Sequence, residues 1–250
     1  MHPDIEKEKD SDQYEWEKRW QVENNDKLED QIGFIRKVFG IVAMQMLVTM
    51  SFAMAGSLLQ DKVRPYFRHP LFIIFVLAGV IGCGFTIIFG VELRRKVPHN
   101  YFLLGGFTLA ESLCFCALTS RMEPQAVVGA IMGLAVITTC IYIFTWNMKD
   151  CRNFQRQALK AVGTAVIIQL SLNFALIFMH FFVYKDREWM IWFSIAMIVL
   201  ACFYLVWDLL YVIVPGIANK DDYIFAALQL YLDLAQIFYH LLILFGEKDK

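Results

Sequence analysis

Charged residues are scarce in this chain. Asp, Glu, Lys and Arg together make up 19% of its 250 residues, below the roughly 25% usual for a soluble domain. That scarcity, with 58% hydrophobic residues and a mean hydropathy of +0.49, excludes an ordinary soluble fold and points to an all-α integral membrane protein. The first thirty residues contain no apolar core, so no cleavable signal peptide is expected, and they are acidic rather than Arg- and Ser-rich, unlike a mitochondrial presequence. None of the six cysteines has CxxC spacing; a zinc site and a disulfide framework both lack support. No nucleophile–base pair, phosphate loop or metal cluster is recognisable either, so neither an enzyme nor a bound cofactor is expected, and no nucleic-acid partner.

What charge there is lies unevenly. Met1–Gln31 carries 11 acidic and 5 basic residues, a net of −6, leaving +5 for the remainder. The chain therefore divides into an acidic polar tail, residues 1–31, and a mildly basic membrane domain, residues 32–250. Free termini of such composition are seldom ordered. With Trp16 and Trp20 at helical spacing as anchors, the tail is expected to be ordered by a protein partner. Seven apolar segments follow: Phe34–Leu58, Pro70–Val91, Tyr101–Leu118, Ala126–Trp146, Ala161–Tyr184, Met190–Val214 and Tyr223–Phe245. Most are near or above the 20 or so residues a helix needs to cross a bilayer. Between them, ten Lys/Arg fall on the tail side, among them Arg36, Lys37, Arg94, Arg95 and Lys96, against six on the other. That bias places the tail on the cytosolic or matrix side.

Polar residues inside the spans are the candidates for function, because a carboxylate at the bilayer centre costs about 2.5–3.5 kcal/mol even on insertion scales. Asp208 and Asp233 are the two prime cases. On the last segment Gln229, Asp233, Gln236 and His240 recur at spacings of 4, 3 and 4, one continuous stripe. On the preceding one Tyr204, Asp208 and Tyr211 share a face. A single stripe is ordinarily a structural polar seam; two with matched carboxylates, on consecutive helices, favour a functional site. Glu111, flanked by Thr108 and Ser112, reads more readily as a carboxyl bonded by its own turn. Gln169, Asn173 and His180 read as an interhelical hydrogen-bonding face.

Three blocks carry a family resemblance. Asp221-Asp222-Tyr223-Ile224-Phe225-Ala226-Ala227-Leu228-Gln229-Leu230-Tyr231-Leu232-Asp233, continuing to Leu244-Phe245-Gly246, resembles the closing signature of the transmembrane Bax inhibitor motif family, in its Lifeguard branch. Gly33-Phe34-Ile35-Arg36-Lys37-Val38-Phe39, with Gln45 and Thr49, resembles the start of its first span. Glu92-Leu93-Arg94-Arg95-Lys96-Val97-Pro98-His99-Asn100-Tyr101, with Phe107, Thr108, Glu111 and Ser112, resembles its second-to-third span region. The resemblance implies a bundle of seven transmembrane helices, the last short and surrounded by the others. It also implies a calcium leak in intracellular membranes, endoplasmic reticulum or Golgi, and suppression of cell death. Asp208 and Asp233 match the family's pH- and calcium-sensing aspartate pair, calcium being the candidate ion. Arg94 is the nearest match to a basic residue that latches the pair. Two departures stand out. Asp208 is followed by Leu209-Leu210 where the family has Thr-Gln, and Asn147-Met148-Lys149-Asp150-Cys151-Arg152 keeps only the central Lys-Asp of another block. They leave open a rival reading, a non-conducting accessory subunit of a large assembly such as a mitochondrial inner-membrane complex.

The Lys/Arg bias has a direct test. Single cysteines placed at Ser11 and Lys185 should react with an impermeant thiol reagent from opposite faces of sealed vesicles. Labelling of both from one side would refute the topology.

Overall fold

The structure, a computed structural model, describes residues 3–147, 187–213 and 220–246. The predicted fifth segment, with its Gln169, Asn173 and His180 stripe, and the Lys149–Arg152 block lie outside the described residues. Helix α1 (Pro3–Leu58) is continuous from the acidic tail into the first span. The short α2 (Gln60–Phe67), α3 (Pro70–Phe89), α4 (Val91–Arg95), α5 (His99–Thr119) and α6 (Pro124–Asn147) follow. Then come α7 (Arg187–Ile213), a 3-10 turn at Lys220–Asp222 and α8 (Tyr223–Phe245). Six of these helices are long and apolar enough to cross a membrane. The side chains of residues 1–28, Trp16 and Trp20 included, are outside what the structure describes.

Boundaries follow local chemistry. Pro70 opens α3, where its missing N–H would have had no intrahelical partner, and the Gly90 N–H closes it onto the Thr86 carbonyl at 2.8 Å. The burial pattern is that of a protein solvated by lipid: Phe75, Phe102, Trp192 and Phe203 are exposed on helices whose backbone polar groups are satisfied internally. The core lies around α8. It is the most buried of the six spans, and it packs against α1, α3, α5, α6 and α7. Tyr231, Phe238, Ile224 and Leu242 are fully enclosed.

The last helix is therefore central, as expected, but it is not short. Its 23 residues rise about 34 Å, enough for the roughly 30 Å hydrocarbon layer. At its start Tyr223 lies under Lys37 and Phe225 under Arg94; at its end Phe245 meets Gly129, and Gly246 lies beside Met122. Met122 belongs to the opposite end of the bundle, where Gln60 Nε2 donates to its carbonyl at 2.7 Å and Arg64 Nε to that of Ser120 at 2.7 Å. So α8 runs the full length of the bundle.

With lipid outside, apolar side chains gain little by leaving it, and close backbone approach decides helix pairing. The tightest is between α1 and α5. Ala53 is fully buried, Thr119 Oγ1 donates to its carbonyl at 2.7 Å, and a Cβ added to Gly56 would collide with the Cys116 carbonyl oxygen and the Thr119 hydroxyl. Gly56→Ala should destabilise the bundle by about 1–3 kcal/mol, read as a lowered unfolding midpoint in detergent. An unchanged midpoint would mean the two helices are free to separate.

Candidate functional site

The two predicted carboxyls meet. Asp208, one turn before the C-terminal end of α7, and Asp233, midway along α8, are in side-chain hydrogen-bonding contact. A carboxylate has no donor, so a hydrogen bond between the two requires a proton on one of them. Both residues are half-buried overall, yet Asp233 Oδ2 is fully enclosed and has no hydrogen-bond partner. Cys202 and Tyr204 of α7 stand close enough to feel the Asp233 charge. Further along the stripe the Gln236 amide nitrogen is enclosed and unpartnered, and His240 Nδ1 lies 3.5 Å from Ser194 Oγ. Gln229 and Tyr211 are half-buried on the same two helices. The neighbours of Asp208 are apolar: Leu209 and Leu210 are buried.

Arg94 does not reach this pair. Its guanidinium is taken by Asp222, at 3.1 Å from Nε to Oδ1, and by the Ile88 carbonyl at 3.1 Å, one of the last four of α3 that lack intrahelical donors. Its face lies 4.6 Å from the Phe225 ring centroid. Asp233 stands eleven residues further on, about 16 Å along the helix. The expected latch on the carboxyl pair is thus a clamp on the start of α8. Arg95 completes it, with Nε and Nη2 at 2.9 and 2.7 Å from the two Asp222 oxygens. This bidentate hydrogen bond first, then Arg94, holds the Asp222 carboxyl below its ordinary value of 3.8 against the opposing effect of burial, and the same contact raises Arg95.

Sequence reasoning missed Asp222 and Arg95 as partners, because a loop acid beside a basic run looks like ordinary surface charge. It missed Gln31 as well. Buried at the start of the first span, its Nε2 donates at 2.8 Å to the Val212 carbonyl, one of the unpaired carbonyls at the end of α7, four residues after Asp208. The third-segment expectation is half right. Thr108 and Ser112 do bond their own helix, onto the Leu104 and Thr108 carbonyls, but both also contact α1, and Glu111 makes no hydrogen bond among the described residues.

These features define an all-α membrane protein built round one central, polar-striped helix that carries half of a buried carboxyl pair. A family model described as "Inhibitor of apoptosis-promoting Bax1" matches residues 31–250, and the chain belongs to that family. The Golgi anti-apoptotic protein of Vaccinia virus (strain Lister) is 28% identical over 227 residues, 88% of this chain and 87% of that protein. Protein LIFEGUARD 2 of Arabidopsis thaliana is 30% identical over 227 residues, 87% and 88%, and Protein lifeguard 4 of Mus musculus 26% over 219 residues, 85% and 84%. No solved structure matches.

The clamp makes a pH-dependent forecast. A carboxyl held below its ordinary value adds stability that is complete above about 3.8 and disappears as pH falls through the lowered folded value. Asp222→Asn should cost about 3 kcal/mol near neutrality, the low end for a broken buried pair because Arg95 stays 39% exposed. Unfolding midpoints of variant and wild type should converge in strong acid. A constant gap would assign the loss to packing instead.

Proposed function

We propose that this protein is a proton-sensitive calcium leak of an intracellular membrane, endoplasmic reticulum or Golgi, acting against cell death, with Asp208 and Asp233 as its gate. One observation carries the reading: two carboxyls on different spans stand side by side inside the bundle, close enough to share a proton. While that proton is present the pair draws α7 and α8 together. When it leaves, two like charges face each other and need a cation, water or separation. Calcium here is cargo. The pair offers at most four oxygens, fewer than the six to eight that calcium takes, which suits an ion that enters and leaves rather than one that is held. Family membership supports the leak and cell-death roles, and the name of the viral relative, a Golgi anti-apoptotic protein, supports a Golgi or neighbouring membrane.

A second reading, a non-conducting accessory subunit, draws on the buried Leu209 and Leu210. They stand where the family has Thr and Gln, so the pair lacks those two polar neighbours. Calcium flux into dye-loaded liposomes decides between the two. Under the leak reading wild type conducts in a pH-dependent way, and Asp208→Asn or Asp233→Asn each abolish that dependence. Under the subunit reading wild type shows no flux above empty liposomes at any pH, and the double Asn variant is at least as stable as wild type, since neutralising a buried charge pair often costs nothing. Flux identical in wild type and both single variants would remove the gate assignment.

A further inference from the structure

Helix α8 has a second polar face. Residues 231 and 233 are about 200° apart around a helix, so while Asp233 addresses α7, Tyr231 points between α1 and α5. There its hydroxyl lies 2.8 Å from Thr49 Oγ1, which in turn lies 3.0 Å from Ser112 Oγ. One turn away Gln45 Nε2 donates to Thr108 Oγ1 at 2.8 Å. The cluster is sealed: Tyr231, Thr49 and Ser112 are fully buried and Gln45 is 5% exposed.

Every hydroxyl proton in it is engaged. Thr108 donates to the Leu104 carbonyl at 2.8 Å, Ser112 to the Thr108 carbonyl at 2.6 Å and Thr49 to the Gln45 carbonyl at 3.0 Å. With the Thr49 proton so placed, Tyr231 donates to Thr49. What remains is acceptors. Gln45 Oε1 is enclosed and has no partner, and lone pairs are left on Ser112 and Tyr231. Next to Ser112 along α5 is the half-buried Glu111, whose carboxyl makes no hydrogen bond among the described residues. An orphaned buried acceptor costs about 1–3 kcal/mol, so a set of oxygens rich in acceptors and poor in donors is suited to a cation and hostile to an anion.

We propose that Gln45, Thr49, Ser112, Glu111 and Tyr231 form a binding site for a hard divalent cation, separate from the aspartate pair and on the opposite face of α8. One carboxylate with neutral hydroxyl and amide oxygens is a donor set for calcium or a similar ion. The choice of calcium as the natural occupant rests on the leak reading; the acceptor geometry does not. As a waypoint it would let an ion pass α8 on one side while the carboxyl pair controls the other.

The test uses full-length protein in detergent carrying Asp208→Asn and Asp233→Asn, so that the pair contributes no charge. Terbium(III), excited directly, serves as the probe, and its luminescence lifetimes in H₂O and D₂O count the waters left on the ion. Ions on the tail or surface carboxylates keep most of their water and decay fast. The expected result is one long-lived, dehydrated component that calcium displaces. Glu111→Gln should weaken it at least about tenfold, since ligand charge sets affinity for such ions. Tyr231→Phe, which removes only the oxygen, should weaken it several-fold, and Thr49→Ser should preserve it. Absence of the long-lived component, or a component indifferent to Glu111→Gln and Tyr231→Phe, overturns the proposal and leaves the cluster as a site for buried water. Liposome flux separates the two readings: dehydrated terbium without flux removes the leak and keeps the site, and pH-gated flux without dehydrated terbium removes the site alone.

Discussion

A polar group in hydrocarbon must find a partner inside the protein, and in this chain that requirement falls most heavily on one helix. The last span carries an Asp, two Gln, a His and, among its three Tyr, the fully buried Tyr231 on different parts of its surface. Facing lipid, each would be unsatisfied at a cost of several kcal/mol. Surrounded by protein, each can be matched by a different neighbour. That explains why the most polar of the six spans is also the most buried, and why the spans around it expose Phe, Trp and Leu instead. Position follows from polarity, in the reverse of the rule for soluble proteins.

Once α8 is central, each polar side chain selects a partner helix. At its start Asp222 takes Arg94 and Arg95 from α4. A little deeper Tyr231 takes Thr49 from α1. Midway Asp233 takes Asp208 from α7, and nearer the far end His240 takes Ser194. The helix is thus tied to three neighbours by groups that cannot exchange roles. A change in protonation or ion occupancy at any of them bears on the same rigid rod. The clamp at Asp222 matters for the carboxyl pair in this sense: it fixes the end of α8 from which Asp233 is suspended. Gln31, holding the last turn of α7 close to Asp208, does the same for the helix that carries the other carboxyl and ties it to the first span.

The membrane class, six of the spans and the polar stripe of the last helix were legible in the sequence, because they depend on length, apolarity and a 3.6-residue period, all of which are local. The pairing of Asp208 with Asp233 was legible for a stricter reason: two costly carboxyls on consecutive helices have few alternatives to each other. The family resemblance implied a short last helix, whereas the apolar segment Tyr223–Phe245 read from the residues is the helix observed, and enclosure by protein lets its 23 residues run the whole bundle.

Tertiary structure alone decided which partner each group received. Periodicity states which way a side chain points from its own axis and nothing about what stands opposite; the family resemblance aimed Arg94 at the aspartates, whereas its reach ends at Asp222, about three helical turns short. Asp222 and Arg95 look like surface charge until the folded loops meet. The bond from Gln31 to Val212 joins residues 181 apart. Likewise Thr49, Ser112 and Tyr231, ordinary hydroxyls in three separate segments, become a sealed set of acceptors only when α1, α5 and α8 close on one another. Sequence determined which groups could not be left in lipid; the packing of helices determined where each of them went.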